Sequence, residues 1–266
     1  MSIELRGRYV VVTGASGGLG REIARDLAKR HGAHLVLVAR REDRLVELAA
    51  ELEKAHGTKC VVVTADLTQA PDLDKVYEAA VALPDLRAVV LNAGVTFFGD
   101  AVDQSDPSIG ALIDTNVTSV AKLAVRFAAH FKSKGMGAIQ LVSSMAGFSP
   151  LPYQAMYAAS KAFVTSLGRT LAYELRGTGV SVGVFAPGGI ATDMLETSGL
   201  SRGFKPGDAG IMDADVCAAH AVRGLVKGEE LTIPGADNAV MAAAMKLAPH
   251  GLVKGIVAQI YAKARK

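Results

Sequence analysis

Short apolar runs rich in β-branched residues alternate along the chain with longer stretches whose apolar positions recur every three or four residues. Runs of the first kind read as strands and stretches of the second kind as amphipathic helices. Strands are expected at Arg8 to Thr13, His34 to Ala39, Lys59 to Thr64, Ala88 to Asn92, Ala138 to Ser143, Val180 to Ala186 and Glu230 to Ile233. Helices are expected at Gly18 to Arg30, Asp43 to His56, Leu73 to Leu83, Ser105 to Asp114, Thr115 to Lys134, Tyr153 to Arg176 and Asp213 to Lys227. The strands are apolar on both faces, so the sheet they form is covered by helices on both sides, and such sheets are parallel. Right-handed crossovers then give an α/β, doubly wound Rossmann domain with a mainly parallel, seven-stranded sheet.

Composition changes this picture little. Half of the 266 residues are apolar and 21% are charged, enough for one large core. No Pro/Ser-rich linker divides the chain, so residues 1–236 are expected to form one nucleotide-binding and catalytic domain, with 237–266 as its C-terminal helical extension. A formal charge of +3 gives no reason to expect nucleic acid. Cys60 and Cys217 form neither a disulfide framework nor a metal-ligand spacing, so no metal is expected. There is no signal-like segment and no apolar run that spans a bilayer, which makes a cytoplasmic location the expectation.

The loop Thr13-Gly14-Ala15-Ser16-Gly17-Gly18-Leu19-Gly20 joins the first strand to the first helix. Its glycines permit a tight turn and close approach of a ligand, and the helix start offers free amides to a pyrophosphate. Gly14, Ser16, Gly18, Leu19 and Gly20 are therefore candidate dinucleotide contacts. The second strand ends in Ala39-Arg40-Arg41, where an NAD-binding chain would place an acid for the ribose hydroxyls. Arginine suits a 2′-phosphate, so NADP is preferred over NAD, with Arg40 the main contact and Arg41 and Ser16 as helpers. Asp66 and Leu67, after the third strand, are placed to meet the adenine edge; a helix cap is the other reading of Asp66. Asn92, Ala93 and Gly94 end the fourth strand at the carboxyl edge, where ligands bind in such sheets.

Tyr157 and Lys161 lie one helical turn apart, on one face of the long helix. A cation there favours the phenolate, drawing the tyrosine toward the range of a useful general acid or base. With the glycine loop, Asp66, Asn92-Ala93-Gly94, Asn116, Ser143-Ser144, and Pro187-Gly188 followed by Thr192, this pair closely resembles the short-chain dehydrogenase/reductase family of the Tyr-x-x-x-Lys type. The likeness runs from about Tyr9 to about Ile233. It implies that Ser144 hydrogen-bonds a substrate carbonyl, that Tyr157 protonates it, and that Lys161 holds the nicotinamide ribose. It implies further that Asn116 kinks its helix and anchors a water toward Lys161, and that Pro187, Gly188, Ile190 and Thr192 cradle the carboxamide. Relatives of this kind are commonly homodimers or homotetramers built on the two long helices. Two positions depart from the common pattern: Leu91 precedes Asn92 where an asparagine is usual, and the glycine loop lacks the basic residue of many NADP-using relatives.

The substrate end is expected to be formed by Thr96 to Phe98, Met145 to Leu151, Gly189 and Met194 to Met212, with Met194, Leu195, Leu200 and Phe204 as a lid. These segments are mostly apolar, which favours an apolar ketone or secondary alcohol. Arg202 and Lys205 leave an acyl carrier open. After Pro234 the tail is apolar with scattered lysines: either a helix docked on the body or a subunit, or an amphipathic segment in peripheral contact with a membrane. The alternative to an enzyme is a regulatory or scaffold protein on the same fold. An epimerase or dehydratase would be expected to carry a longer C-terminal substrate region.

Overall fold

The computed structural model describes residues 3–197, 203–205, 207–208, 210–235, 237–238, 240 and 255. Its elements in chain order are β1 (Tyr9–Thr13), α1 (Gly18–His31), β2 (His34–Ala39), α2 (Glu42–His56), β3 (Cys60–Thr64), α3 (Ala70–Val81) and β4 (Leu86–Leu91). There follow α4 (Asp106–Ile113), α5 (Ser119–Lys134), β5 (Gly137–Val142), α6 (Ala155–Glu174), β6 (Val180–Phe185), β7 (Gly189–Ala191), α7 (Asp193–Thr197), β8 (Ile211–Asp213), α8 (Ala214–Lys227) and β9 (Leu231–Thr232). Seven strands form one sheet in the order β3-β2-β1-β4-β5-β6-β9, and every adjacent pair is parallel. This is the doubly wound Rossmann architecture expected from the strand pattern.

Alternation along β1 shows how the sheet is covered. Val10 and Val12 face a core shared with Ile23 and Leu27 of α1, Leu45 of α2 and Ala221 of α8. Val11 points the other way, into a core with Val76 of α3, Phe127 of α5 and Val164 of α6. Each strand thus feeds two apolar layers, because successive side chains leave opposite faces. The strand order reverses between β1 and β4, and the crevice at their carboxyl ends is where ligands settle in such sheets.

Several boundaries differ from expectation for identifiable reasons. α3 begins at Ala70, three residues early, because Pro71 fits the first helical turn. β4 stops at Leu91, since the Asn92 amide is taken by the Thr13 hydroxyl at 2.9 Å. α6 starts at Ala155, because Tyr153 is left-handed (φ 65°) and Gln154 is not helical. Between α4 and α5 the chain does not break; it passes through a π-helical turn over Asp114–Thr118. β7 and β8 were not expected; they pair in parallel, Gly189 with Ile211 and Ala191 with Asp213. No helix among the described residues is long and apolar enough to cross a membrane. The tail from 237 onward, including the membrane-contact reading, lies almost wholly outside the described residues.

Candidate active site

Thr13 ties the two central strands together at the switch point. Its hydroxyl accepts from the amides of Asn92 (2.9 Å) and Ala93 (3.0 Å), and its carbonyl accepts from Asn92 Nδ2 at 2.9 Å. The glycine loop then turns away under tight steric terms. Gly14 adopts φ 72°, and a Cβ there would lie 3.1 Å from Ala93 Cα. A Cβ on Gly20 would meet the Gly14 carbonyl oxygen at 2.4 Å, so helix α1 can lie this close to the loop only with glycine. Gly20 accordingly serves packing and does not line the cleft, whereas Gly14, Ser16, Gly18 and Leu19 do.

One continuous cleft of about 930 Å³ runs from this loop across the carboxyl edge of the sheet. Arg40, Arg41, Ala65, Leu67, Asn92, Ala93, Gly94, Ser144, Tyr157, Lys161, Pro187, Gly188, Ile190 and Thr192 all line it. The glycine loop, the two arginines and the volume of the cleft fit a dinucleotide. The two arginines differ in what they touch. Arg41 lies over the loop, donating to Ser16 Oγ from Nε (3.2 Å) and Nη2 (3.1 Å) and to the Ser16 carbonyl at 3.3 Å. Arg40 is exposed at the mouth, with no hydrogen-bond or ion-pair partner among the described residues. Asp66 is turned into its own loop: its carboxylate accepts from the Thr68 amide (3.1 Å) and hydroxyl (2.9 Å). It neither caps α3, whose N-cap is Gln69, nor reaches the cleft wall.

At the other end, four side chains converge. Asn116 is fully buried in the π turn; its Oδ1 accepts from the Val95 amide at 2.8 Å, and its Nδ2 donates to the Val95 carbonyl (2.8 Å) and to Ser160 Oγ (3.1 Å). The helix is distorted as expected of Asn116, and the cause is visible: an extra residue in the turn brings the amide onto the strand edge. A Cβ on Gly94 would lie 3.3 Å from both Asn116 Oδ1 and Lys161 Nζ, so a side chain here would crowd both groups. Lys161 is buried and donates from Nζ to the Val142 carbonyl at 3.0 Å. Ser144 sits in extended backbone just past β5, its Oγ accepting from the Ala146 amide at 3.1 Å.

The electrostatic balance of the pair departs from the expectation drawn from its spacing. Burial pushes the Tyr157 phenol above its ordinary value, and the Ser144 hydroxyl beside it pulls the other way without winning. Lys161 Nζ lies 5.7 Å from the centre of the Tyr157 ring. Burial also lowers the Lys161 ammonium, to about 8. Desolvation opposes both charged forms.

Of the expected substrate segments, Thr96, Met145, Ala146, Leu151, Gly189, Met194, Leu195 and Phe204 line the cleft; Phe97 and Phe98 do not. Leu200 and Arg202 lie outside the described residues. The sequence reading missed Gln154 and Asn238, which also line the cleft. Gln154 is buried and donates to Thr96 Oγ1 at 3.3 Å. Asn238 donates to the Pro234 carbonyl at 2.8 Å, and its side chain lies about 3.0 Å from where a Gly188 Cβ would be. A polar residue three positions before Tyr157 was a visible signal for Gln154; nothing marked Asn238. Among the described residues no cluster of His, Cys, Asp or Glu suits a metal ion.

Comparison with known proteins agrees with this geometry. The family model for short chain dehydrogenases matches residues 8–202. Mouse 17-beta-hydroxysteroid dehydrogenase type 3 is 34% identical over 192 residues, 71% of this chain and 62% of that enzyme. The chain thus spans about three fifths of the length of this curated relative. A short-chain dehydrogenase from Sphingobium yanoikuyae, solved in complex with NADPH, is 33% identical with a TM-score of 0.82, over 92% of this chain and 95% of that one. The bulky-bulky ketone specific alcohol dehydrogenase from Comamonas testosteroni is 31% identical with a TM-score of 0.79, over 92% and 93% of the two chains. The chain belongs to the short-chain dehydrogenase/reductase family of oxidoreductases.

Proposed function

We propose that this oxidoreductase is NADP(H)-dependent and interconverts an apolar ketone and its secondary alcohol, with Tyr157 as general acid and base. One observation carries the reading: Ser144, Tyr157 and Lys161 line the same cleft as the glycine loop, together with the apolar side chains of Met145, Leu151, Met194, Leu195 and Phe204. When bound, the coenzyme would supply or accept hydride. The protein's own part is to hold the carbonyl and manage its proton. Ser144 would fix the carbonyl oxygen, and the phenol, kept protonated by burial, would donate to it as negative charge develops. In the reverse direction the same groups would accept the proton. Lys161 would bind ribose hydroxyls and stabilise the transient phenolate, and Asn116 would hold the water route behind it.

Around this centre Gly14, Ser16, Gly18, Leu19, Asn92, Ala93 and Gly94 would contact the dinucleotide, and Pro187, Gly188, Ile190 and Thr192 would hold its reactive end. Arg40 would meet the 2′-phosphate. Ala65 and Leu67 supply the wall at the base-binding end, where Asp66 acts only through the shape of its loop. Support for an apolar substrate comes from Met145, Leu151, Met194, Leu195 and Phe204 in the pocket wall and from the bulky ketone named for the Comamonas relative. Residues 1–236 would form the working domain, assembled as a homodimer or homotetramer, with 237–266 as an extension. The test is NADPH consumption across a panel of aryl and alicyclic ketones. Tyr157→Phe should lower turnover at least ~100-fold while NADPH still binds; parent-like turnover would remove Tyr157 from the chemistry. No turnover by the parent across the panel would favour the scaffold alternative.

A further inference from the structure

Two serines stand side by side at the end of β5, and the mechanism above uses only Ser144. Ser143 is fully enclosed, and its hydroxyl donates to the main-chain carbonyl of Lys161 at 2.8 Å. The same oxygen lies 2.7 Å from Thr165 Oγ1, which itself donates to the Lys161 carbonyl at 2.9 Å. A carbonyl inside a helix is already served by the amide four residues on. The hydroxyl of Ser143, from another element, is therefore not needed to satisfy it.

The residue before Ser143 holds the other end of the same lysine. Val142 accepts the Lys161 ammonium at 3.0 Å. The last residue of β5 and the one after it thus grip Lys161 at both ends, the ammonium through a backbone carbonyl and the backbone through a side-chain hydroxyl. The loop beyond Ser144 completes the grip. A Cβ on Gly147 would lie 2.6 Å from the Lys161 carbonyl oxygen and 3.0 Å from Thr165 Oγ1, so this loop rests directly on that carbonyl. The Gly147 amide in turn donates to the Ser144 carbonyl at 2.9 Å.

We propose that Ser143 is a positioning residue that sets the register of α6 against β5, and so fixes Lys161 and Tyr157 relative to Ser144. The reacting groups come from two elements. Ser144 follows the strand, while Tyr157 and Lys161 ride on the helix. A hydroxyl donor on one and a helical carbonyl on the other form a direct bond between them that involves neither reacting side chain. Apolar packing alone tolerates small sliding, and displacement by about an ångström can cost two decades in rate. Thr165 supports the arrangement from within the helix, and Gly147 supports it by having no side chain.

This inference rests on the assignment of Tyr157, and the experiment separates the two. Ser143→Ala, Thr165→Val and Tyr157→Phe are compared with the parent for NADPH binding by fluorescence, melting temperature, and kcat and KM over pH 6–10 with a bulky aryl ketone that the parent reduces. Ser143→Ala should bind NADPH within about twofold of the parent and melt within roughly 4 °C of it. Its kcat should fall about 10- to 100-fold, with the ketone KM nearly unchanged and the alkaline limb of the pH profile displaced. Ser143→Thr, which restores the hydroxyl, should regain most of the kcat. If Ser143→Ala keeps parent kcat and pH profile while Tyr157→Phe is inactive, the positioning role falls and the Tyr157 assignment stands. If Ser143→Ala loses coenzyme binding and melting temperature together with kcat, the residue is merely structural and the proposal is overturned. Should Ser143→Ala misfold, Thr165→Val must show the kcat loss and displaced limb alone; a parent-like profile there overturns it equally.

Discussion

At the Tyr157 end of the cleft, Asn116, Ser143 and Lys161 are buried and each is bonded to main chain on a neighbouring element. At the opposite end Arg40, Arg41 and Arg44 are exposed. Arg44 reaches Asp193 only at 3.6 Å, with both side chains largely in water. The first end takes charge out of water: burial holds the phenol protonated and lowers the ammonium to about 8. The second presents cations that water still solvates, so its grip on a ligand is set by charge, is screened by salt and does not depend on a rigid surround. On the proposed function, the chemistry would be concentrated where desolvation is strongest, and recognition of a charged ligand would be left to the rim. Perturbations at the two ends should therefore differ in kind as well as in size.

Lys161 should give the largest effect. Lys161→Met removes a buried cation and should cut turnover roughly 10³-fold. It should not lower the melting temperature in proportion, because the native state no longer has to hold an amine away from water. The pH dependence follows from the same burial. The ammonium falls from an ordinary 10.5 to about 8, so kcat/KM for ketone reduction should decline above about pH 8 as the cation is lost. Stability should move the opposite way. Between about 8 and 10.5 the unfolded chain holds a proton on this lysine that the native chain has released, so stability from this group rises with pH. The Tyr157 phenol, raised by burial, opposes this only above about 10, where the unfolded phenol ionises first. Melting curves of parent and Lys161→Met at pH 8 to 10 check the sign. A parent whose stability fell relative to the variant across that window would break the contrast drawn between the two ends.

Asn116 is next. Alanine there would strand the Val95 amide and carbonyl inside the protein, at a cost of about 1–3 kcal/mol for each unpaired group. Asn116→Ala should lower stability by about 3 kcal/mol and turnover by roughly 100-fold, read by urea denaturation and by NADPH consumption. An equally stable variant would mean that water replaces the amide without loss, and that the buried end is less rigid than its bonding suggests.

These two residues also show what the sequence made legible. The seven-stranded sheet could be read because continuous apolar runs such as Val10 to Val12 and Leu35 to Val38 mark strands covered on both faces. Asn116 and Lys161 could be singled out because their spacing to Tyr157 matches a family pattern. The work of Thr13 could not, since its hydroxyl serves amides 79 and 80 residues away and such bonds leave no local pattern. The bonds of Ser143 could not be read, because its partners, the Lys161 carbonyl and Thr165, lie 18 and 22 residues away on another element. β7 and β8 are three residues each and lie about 20 residues apart, too short for any periodicity. Tyr153 was read as helical by composition, yet it is left-handed, with its carbonyl accepting from the Gly99 amide at 2.9 Å. Burial also reversed the expected direction for the Tyr157 phenol, because spacing shows a neighbour's charge and not the loss of solvent around both groups.

The smallest effects belong to the exposed end, and two neighbouring arginines should separate there by what each one touches. Arg41 braces the glycine loop through the Ser16 hydroxyl and carbonyl. On the proposed function either dinucleotide lays its pyrophosphate on that loop, so Arg41→Ala should weaken NADPH and NADH alike, by about three- to tenfold. Arg40 has no protein partner among the described residues, so its guanidinium is free for a phosphate. Arg40→Ala should weaken NADPH about tenfold and leave NADH within about twofold, because only NADPH carries the extra dianion. Raising salt from 50 to 500 mM should erase most of the Arg40 difference and less of the Arg41 difference, since the second acts through loop geometry as well as charge. Fluorescence titrations of both coenzymes against parent and variants read all of these quantities. Equal losses of NADPH and NADH in Arg40→Ala would take away the basis for NADP preference and leave this end of the cleft without a specific partner for a 2′-phosphate.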